Sequence, residues 1–176
     1  MSPNLVEQVQ SGLALTINGG RFLLIEWPYE QYPMYSERIL FELQVRGIVP
    51  IIAHAERYRI VRRDPFALAP LVERGIMVQV TASSLLGEFG AEMKRVTETL
   101  LSHGLAHVIA SDSHAVDRRP PVLSAARDRA AELVGEERAC AMVADVPRKV
   151  IDNESIELPL PKLRKPQPFW AFWRSS

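Results

Sequence analysis

A chain of 176 residues, 47% hydrophobic and 24% charged, has the make-up of one globular domain with a sizeable core and is a squeeze for two. Lys plus Arg number 21 and Asp plus Glu also 21, so the net charge is zero and no whole-chain field draws it to nucleic acid or anionic lipid. The one cysteine, Cys140, makes no internal disulfide, the N-terminus carries no basic and apolar export signal, and no apolar run reaches the roughly 20 residues of a membrane span; the expectation is a cytoplasmic protein.

In chain order, Leu13 to Ile17 and Arg21 to Trp27 read as strands joined by the turn signal Asn18-Gly-Gly20, which predicts a hairpin. Apolar residues Met34, Ile39, Leu40, Leu43 and Val45 recur at mostly helical spacing, and Gly47 is a fitting stop. Ile48 to Ala53 is the next strand. Asp64-Pro65 supplies an N-cap and a first-turn proline for a helix running to Gly75. Ile76 to Thr81 is a strand, Ala82 to Gly87 a turn, Ala91 to His103 a helix closed by Gly104, and His107 to Ala110 a strand. Helices over Val122 to Val134 and Glu136 to Val150 complete the ordered part. Strand and helix alternate, so the fold class is α/β.

From Leu158 the composition changes to a proline-rich linker. Its tip mixes Lys162, Arg164, Lys165 and Arg174 with Phe169, Trp170, Phe172 and Trp173. The organisation is therefore a domain over 1–157 and a tail over 158–176. The 162–174 stretch suits peripheral contact with an anionic membrane or a partner. The simpler alternative is a tail without order, or one folded back over an apolar patch.

The informative polar residues are positional. Glu26 ends one apolar run and His54 another, while Asp112 ends a third with His114 two places on. Parallel α/β folds place their sites at that carboxyl edge, so four ligands are expected to meet there. Carboxylate and imidazole donors together suit zinc, manganese or iron. Taken singly, each has a plainer reading. Asp112-Ser-His114 also fits a helix N-cap beside a surface histidine, and His54 a hydrogen-bonded core histidine. Arg57, one turn past His54, and Arg118-Arg119, past His114, stand where a guanidinium fork would hold phosphate; a salt bridge to Glu56 or Asp117 is the alternative. His103 complements a helix end and His107 reads as structural. No cysteine-phosphatase spacing, Gly-x-Ser-x-Gly elbow or Gly-rich nucleotide loop is present, so thiolate, acyl-transfer and nucleoside triphosphate chemistry lack their apparatus.

Leu24-Ile-Glu-Trp-Pro28, Gly47 to Tyr58 with its His-Ala-Glu-Arg-Tyr, Gln79 to Gly87, and Val108-Ile-Ala-Ser-Asp-Ser-His114 with Arg119-Pro-Pro121 together resemble the bacterial capsular and exopolysaccharide tyrosine phosphatases of the polymerase and histidinol phosphatase (PHP) superfamily. The resemblance runs in unbroken order from about residue 13 to 155. It implies a distorted (β/α)7 TIM-like barrel with up to three metals, usually manganese or iron, that hydrolyses phosphotyrosine on a membrane-associated tyrosine kinase controlling polysaccharide export. Carried over by motif, Glu26, His54, Asp112 and His114 are metal ligands, and Arg57 and Arg119 hold the phosphate. Family members open with a His-x-His motif and further ligands, whereas here no histidine precedes His54. The chain thus starts about one third into the pattern, and the expectation is a partial barrel lacking its N-terminal strands. A phosphatase whose site an oligomer completes, a catalytically incompetent remnant acting as a binding module, and another PHP-type phosphoesterase are the functional alternatives. Ala55 replaces the family's usual proline and Ser83 a common glycine; neither removes a ligand.

Overall fold

The computed structural model describes residues 1–114 and 121–162. Its centre is a four-stranded sheet of strands β1 (Phe22–Ile25), β2 (Val49–Ile52), β3 (Met77–Thr81) and β4 (Val108–Ala110), lying in the order β1-β2-β3-β4. All three ladders are parallel, with Phe22 opposite Val49, Ile51 opposite Met77, and Gln79 opposite Val108. Parallel strands need a crossover between them, and the sequence supplies helices for it.

Those crossovers begin with α2 (Ser36–Val45), which joins β1 to β2, after a short leading helix α1 (Leu5–Gln10). Between β2 and β3 run α3 (Arg59–Arg63), a 3₁₀ turn over Pro65–Leu68 and α4 (Ala69–Glu73). The predicted cap is present: Asp64 Oδ1 accepts from the Phe66 amide at 3.0 Å. α5 (Ala82–Leu86) and α6 (Ala91–Ser102) join β3 to β4, and α7 (Ser124–Val134), α8 (Glu136–Cys140) and α9 (Val146–Ile151) follow. A π-helical turn over Ala141–Asp145 separates α8 from α9. Pro147 explains it, because its ring has no amide hydrogen and crowds the carbonyl of the preceding turn, so the helix widens there.

Alternation along the strands divides the core in two. Leu23, Ile25, Ile52, Val78 and Val80 face the main core with Leu40, Leu43, Leu85, Leu100 and Leu101 from the helices. Phe22, Ile51 and Met77 face the other way, against Val150 of α9 and the partly buried Ile156 and Leu158. β3 is buried along its whole length, as a central strand of a parallel sheet should be.

The predicted hairpin does not form. β1 pairs with β2 instead, Leu13 and Leu15 are about four-fifths exposed, and Asn18-Gly-Gly20 sits in a 3₁₀ turn with Asn18 at φ 51°. The turn signal was real, but residues 13–17 bring only the partly buried Ala14 and Ile17 to the core while Leu13 and Leu15 stay in solvent. Ala82 to Gly87 is a short helix rather than a turn, ended by Gly87 at φ 87°, a left-handed position that only glycine takes without strain.

Candidate functional site

The sheet's parallel topology puts Glu26, His54 and Asp112 at one edge, each just past the carboxyl end of β1, β2 or β4. His54 (φ 35°) and Asp112 (φ 51°) adopt left-handed backbone conformations that non-glycine residues rarely take. Such strain costs of order 1 kcal/mol or more per residue and collects at functional sites.

His54 is nearly fully buried while the Glu26 side chain is 65% exposed, and Glu26 Oε1 lies 3.0 Å from His54 Nε2. The His54 amide is 3.3 Å from Gln79 Oε1, and the ring is flanked by Tyr29 and Tyr58 with centroids 5.6 and 5.7 Å away. His54 Nδ1 is buried without a hydrogen-bond partner. Tyr58 in turn ties into the local frame: its Oη accepts from the Trp27 amide at 3.1 Å, and burial raises the Tyr58 pKa well above its ordinary value. The phenol therefore stays neutral and fixes the β1 exit beside His54.

One 3₁₀ turn further on, Arg57 Nη2 approaches Asp112 Oδ2 at 2.9 Å, with both side chains about five-sixths buried. The Arg57 guanidinium is held against the Asp112 carboxylate as a largely buried ion pair. Asp112 is thus the acidic partner of Arg57. Glu56, the sequence neighbour, is buried and turned away: its Oε1 accepts from the Thr81 amide at 3.1 Å and the Ser84 hydroxyl at 2.6 Å. Desolvation raises the Glu56 pKa, and those hydrogen bonds act against the rise. His114 is exposed, with Nδ1 2.7 Å from the Asp112 carbonyl oxygen and 3.7 Å from Asp112 Oδ1. A carbonyl only accepts, so Nδ1 carries the proton and Nε2 presents its lone pair outward, the tautomer a metal-ligating histidine needs.

The four expected ligands therefore form two pairs. Among the described residues, no three His, Cys, Asp or Glu side chains come together as a metal-holding group. The reason is the sheet: β2 and β3 lie between β1 and β4, and three ladder spacings separate Glu26 from Asp112 by roughly 14 Å of backbone. The residues nevertheless fit a divalent ion as parts of a coordination shell. Two donors each about 2.1 Å from one ion at a right angle stand about 3.0 Å apart, which is the Glu26–His54 separation. Arg118, Arg119 and Asp117 lie outside the described residues, as does the tail beyond Lys162.

A cavity of about 380 Å³ adjoins Arg57, lined by Tyr29, Glu30, Arg62, Phe89 and Met93. The Arg57 guanidinium carbon stands 4.9 Å from the Phe89 ring centroid, a cation–π contact. Sequence reasoning passed over these lining residues. Tyr29 follows the β1 exit by only a few positions, which was a usable signal; Phe89 and Met93 gave none. His103 and His107 are elsewhere. His103 Nδ1 lies 3.0 Å from the Thr99 carbonyl with the ring edge-on to Phe66, and His107 is buried at the start of β4. Cys140 lies 3.4 Å from Glu136 Oε1, and that contact raises its pKa, which leaves a thiol rather than a nucleophilic thiolate. Among the described residues no helix is long and apolar enough to cross a membrane.

Fold and site together define a class: a parallel α/β domain carrying imidazole and carboxylate donors at the carboxyl edge of its sheet. Residues 1–152 match the family model for capsular polysaccharide synthesis, CpsB/CapC, and the chain belongs to that family. It is 41% identical over 105 residues to the tyrosine-protein phosphatase YwqE of Bacillus subtilis (strain 168), covering 60% of this chain and 41% of that protein. It is 30% identical over 156 residues to the tyrosine-protein phosphatase CpsB of Streptococcus pneumoniae, covering 86% and 64% respectively. CapC of Staphylococcus aureus is 37% identical over 123 residues, covering 70% and 48%. Among solved structures, one from the work on YwqE and CpsB as unique metal-dependent tyrosine phosphatases superposes with a TM-score of 0.88 at 31% identity. The match covers 94% of this chain and 66% of that one. The chain spans about half the length of the curated relatives it matches.

Proposed function

We propose that this chain carries a metal-dependent phosphotyrosine phosphatase site of the capsular and exopolysaccharide systems. Its substrate in this reading is the tyrosine-phosphorylated kinase that regulates polysaccharide synthesis. The observation that carries the reading is the Glu26–His54 pair, 3.0 Å apart at the carboxyl edge and one turn from Arg57, whose guanidinium is paired with Asp112. Glu26, His54, Asp112 and His114 are read as the metal ligands, with manganese the first choice and iron or zinc the alternatives. A divalent ion held there supplies Lewis acidity toward the phosphoryl oxygens.

The chain's own part is placement. His54, held by its buried setting and by Gln79, keeps its Nε2 on Glu26. Arg57, joined by Arg119, grips the phosphate oxygens, and an aryl phosphate so held lays its ring in the cavity against Phe89, Tyr29 and Met93. A serine or threonine phosphate leaves that apolar cavity unfilled, which favours phosphotyrosine. Strand order β1-β2-β3-β4 without a reversal supports the partial (β/α)7 PHP barrel over a doubly wound sheet. In the same reading the domain covers 1–157 and the tail 158–176, of which the 162–174 stretch touches the membrane surface from the cytoplasm, and the protein self-associates. Two pairs of ligands rather than one cluster favour a second reading, a binding module for the kinase without turnover.

The test is hydrolysis of a phosphotyrosine peptide by the purified chain with manganese and with chelator, for wild type and His54→Ala. Chelator-sensitive turnover that the variant loses supports the phosphatase. Peptide binding without turnover by folded protein supports the second reading. Turnover indifferent to both chelator and the substitution overturns the site.

A further inference from the structure

Just past Arg57 the chain enters α3, whose sequence Arg59-Ile-Val-Arg-Arg63 carries three more arginines in five residues. In a chain whose charges cancel, that is a local excess of cation, and Arg62 brings it to the wall of the cavity beside Arg57. A second cavity, of about 450 Å³, adjoins the first and is lined by Glu30, Tyr32, Arg59, Arg63 and Asp64. Glu30 lines both, so one carboxylate divides them.

Glu30 does not saturate these arginines. Its Oε2 stands 3.8 Å from Arg59 Nη1 and its Oε1 3.8 Å from Arg62 Nη2. Charges attract at that separation, but it is about 1 Å too long for the paired hydrogen bonds a guanidinium fork makes with a carboxylate. The Glu30 side chain is 66% exposed, so water competes for it. Arg63 is exposed and makes no ion pair or hydrogen bond among the described residues. Asp64 is the other acid at this cavity. Its Oδ1 accepts from the Phe66 amide at 3.0 Å, and none of the three arginines lies within ion-pair distance of it among the described residues. Tyr32 commits its hydroxyl proton to Glu37 at 2.7 Å. Three guanidinium groups thus share one loosely held carboxylate.

We infer that the second cavity is a subsite for an acidic side chain flanking the phosphotyrosine of the substrate, an inference that rests on the phosphatase reading above. An Asp or Glu of the peptide entering it takes on Arg59 and Arg63 the hydrogen-bonded geometry that Glu30 does not have. The reach fits. From Arg59 to Arg63 α3 rises about 6 Å, and an extended peptide covers about 7 Å in two residues, so a carboxylate one or two positions from a phosphotyrosine seated against Arg57 and Phe89 meets that row. Glu30 is then an internal competitor for the same guanidinium groups, and neutralising it strengthens the subsite.

The experiment measures binding rather than turnover, by fluorescence anisotropy of the whole chain with manganese. The labelled probes carry a hydrolysis-resistant difluoromethylene phosphonate in place of the phosphate ester: a peptide with Glu at the two positions on either side of the aromatic residue, the same peptide with Gln there, and the capped amino acid alone. The Glu peptide is expected to bind about fivefold more tightly than the Gln peptide, the effect of two solvent-exposed ion pairs. The preference is expected to vanish in the double variant Arg59→Gln, Arg63→Gln and to widen in Glu30→Gln, whereas loss of a merely structural ion pair would not widen it. Equal affinity of the wild type for the two peptides overturns the subsite and leaves the phosphatase site standing. Failure of all three probes to bind, the capped amino acid included, overturns the phosphate-holding site and this inference with it. Both of those arms use unaltered protein, so a misfolded variant cannot mask either. A preference kept by the folded double variant, or narrowed in Glu30→Gln, overturns the role given to α3.

Discussion

His107 makes the stability of this fold depend on pH in a direction and over a range the structure specifies. Burial, reinforced by Arg138, lowers its pKa from 6.5 to about 4. In the unfolded chain the same imidazole takes its proton near 6.5, so between pH 6.5 and 4 the unfolded state binds more protons than the folded one. Stability is therefore complete above pH 6.5 and is lost as the pH falls through that window. The gap corresponds to about 3 kcal/mol in total, at up to about 1.4 kcal/mol per pH unit. That is a large share of the 5–15 kcal/mol that typically separates folded from unfolded states. The Val78 amide donates to His107 Nδ1 at 3.0 Å, and His107→Asn is the informative perturbation, because the asparagine oxygen can still accept from Val78 while nothing titrates. Urea unfolding of both proteins at intervals from pH 4.5 to 7.5 gives the difference in slope directly, and shared contributions from other groups cancel. The substitution should cost stability at pH 7.5 through lost ring packing and flatten the acid side of the profile. Parallel profiles would show that His107 is not held neutral by burial, and the argument from the Val78 hydrogen bond would fail with it.

Glu56 should act with the opposite sign: its raised pKa means that stability falls as the pH climbs from the ordinary carboxyl value of 4.5 through the raised one. Glu56→Gln keeps an acceptor for Thr81 and Ser84, so it should be at least as stable as wild type at pH 8 by urea unfolding; a loss above about 2 kcal/mol would mean that the charge itself is needed. Manganese should raise the thermal midpoint of the wild type and do so less in Glu26→Gln and His54→Ala, since an ion that binds only the folded state stabilises it; equal shifts in all three would place the ion elsewhere. Asn153 ties the end of α9 to the entry of β1 through its Oδ1 on the Arg21 amide at 2.8 Å, so Asn153→Ala should cost about 1 kcal/mol by chemical denaturation, and no change would remove residues after α9 from the folding unit.

The strands were legible because parallel strands buried on both faces are written as short, nearly unbroken apolar runs. Val49–Ile52 and Met77–Thr81 fall where the runs fall. Placing Glu26, His54 and Asp112 at one edge followed from that topology alone. Their distances did not follow, because sequence gives the order of residues along strands and not the number of strands between them. The partner of Arg57 was hidden for the same reason. Glu56 and Asp117 were near in sequence, but Glu56 is drawn into the core by Thr81 and Ser84, some 25 residues away, and Asp112 arrives from β4. α3 and α5 were missed because helices of a single turn carry no periodicity to read.

The turn from His54 to Arg57 is what connects the two halves of the edge. The Arg57 amide donates to the His54 carbonyl at 3.0 Å, closing a 3₁₀ turn that begins from a left-handed residue. That geometry sends His54 back toward Glu26 on β1 and Arg57 forward toward Asp112 past β3, so a single turn addresses both outer strands. Glu56, between them, is the anchor: its hydrogen bonds to the end of β3 and to α5 hold the turn against the sheet. The strain at His54 is sustainable because the backbone on either side is committed, with the Ala53 amide bonded to the Ile25 carbonyl at 3.0 Å before it and the Glu56 carboxyl locked after it. Local strain persists only where the surroundings over-determine it, and here they are β1 on one side and the end of β3 with α5 on the other. The functional pairs thus differ in exposure but share one mechanical support, and a change at Glu56 that loosened the turn would move His54 and Arg57 together.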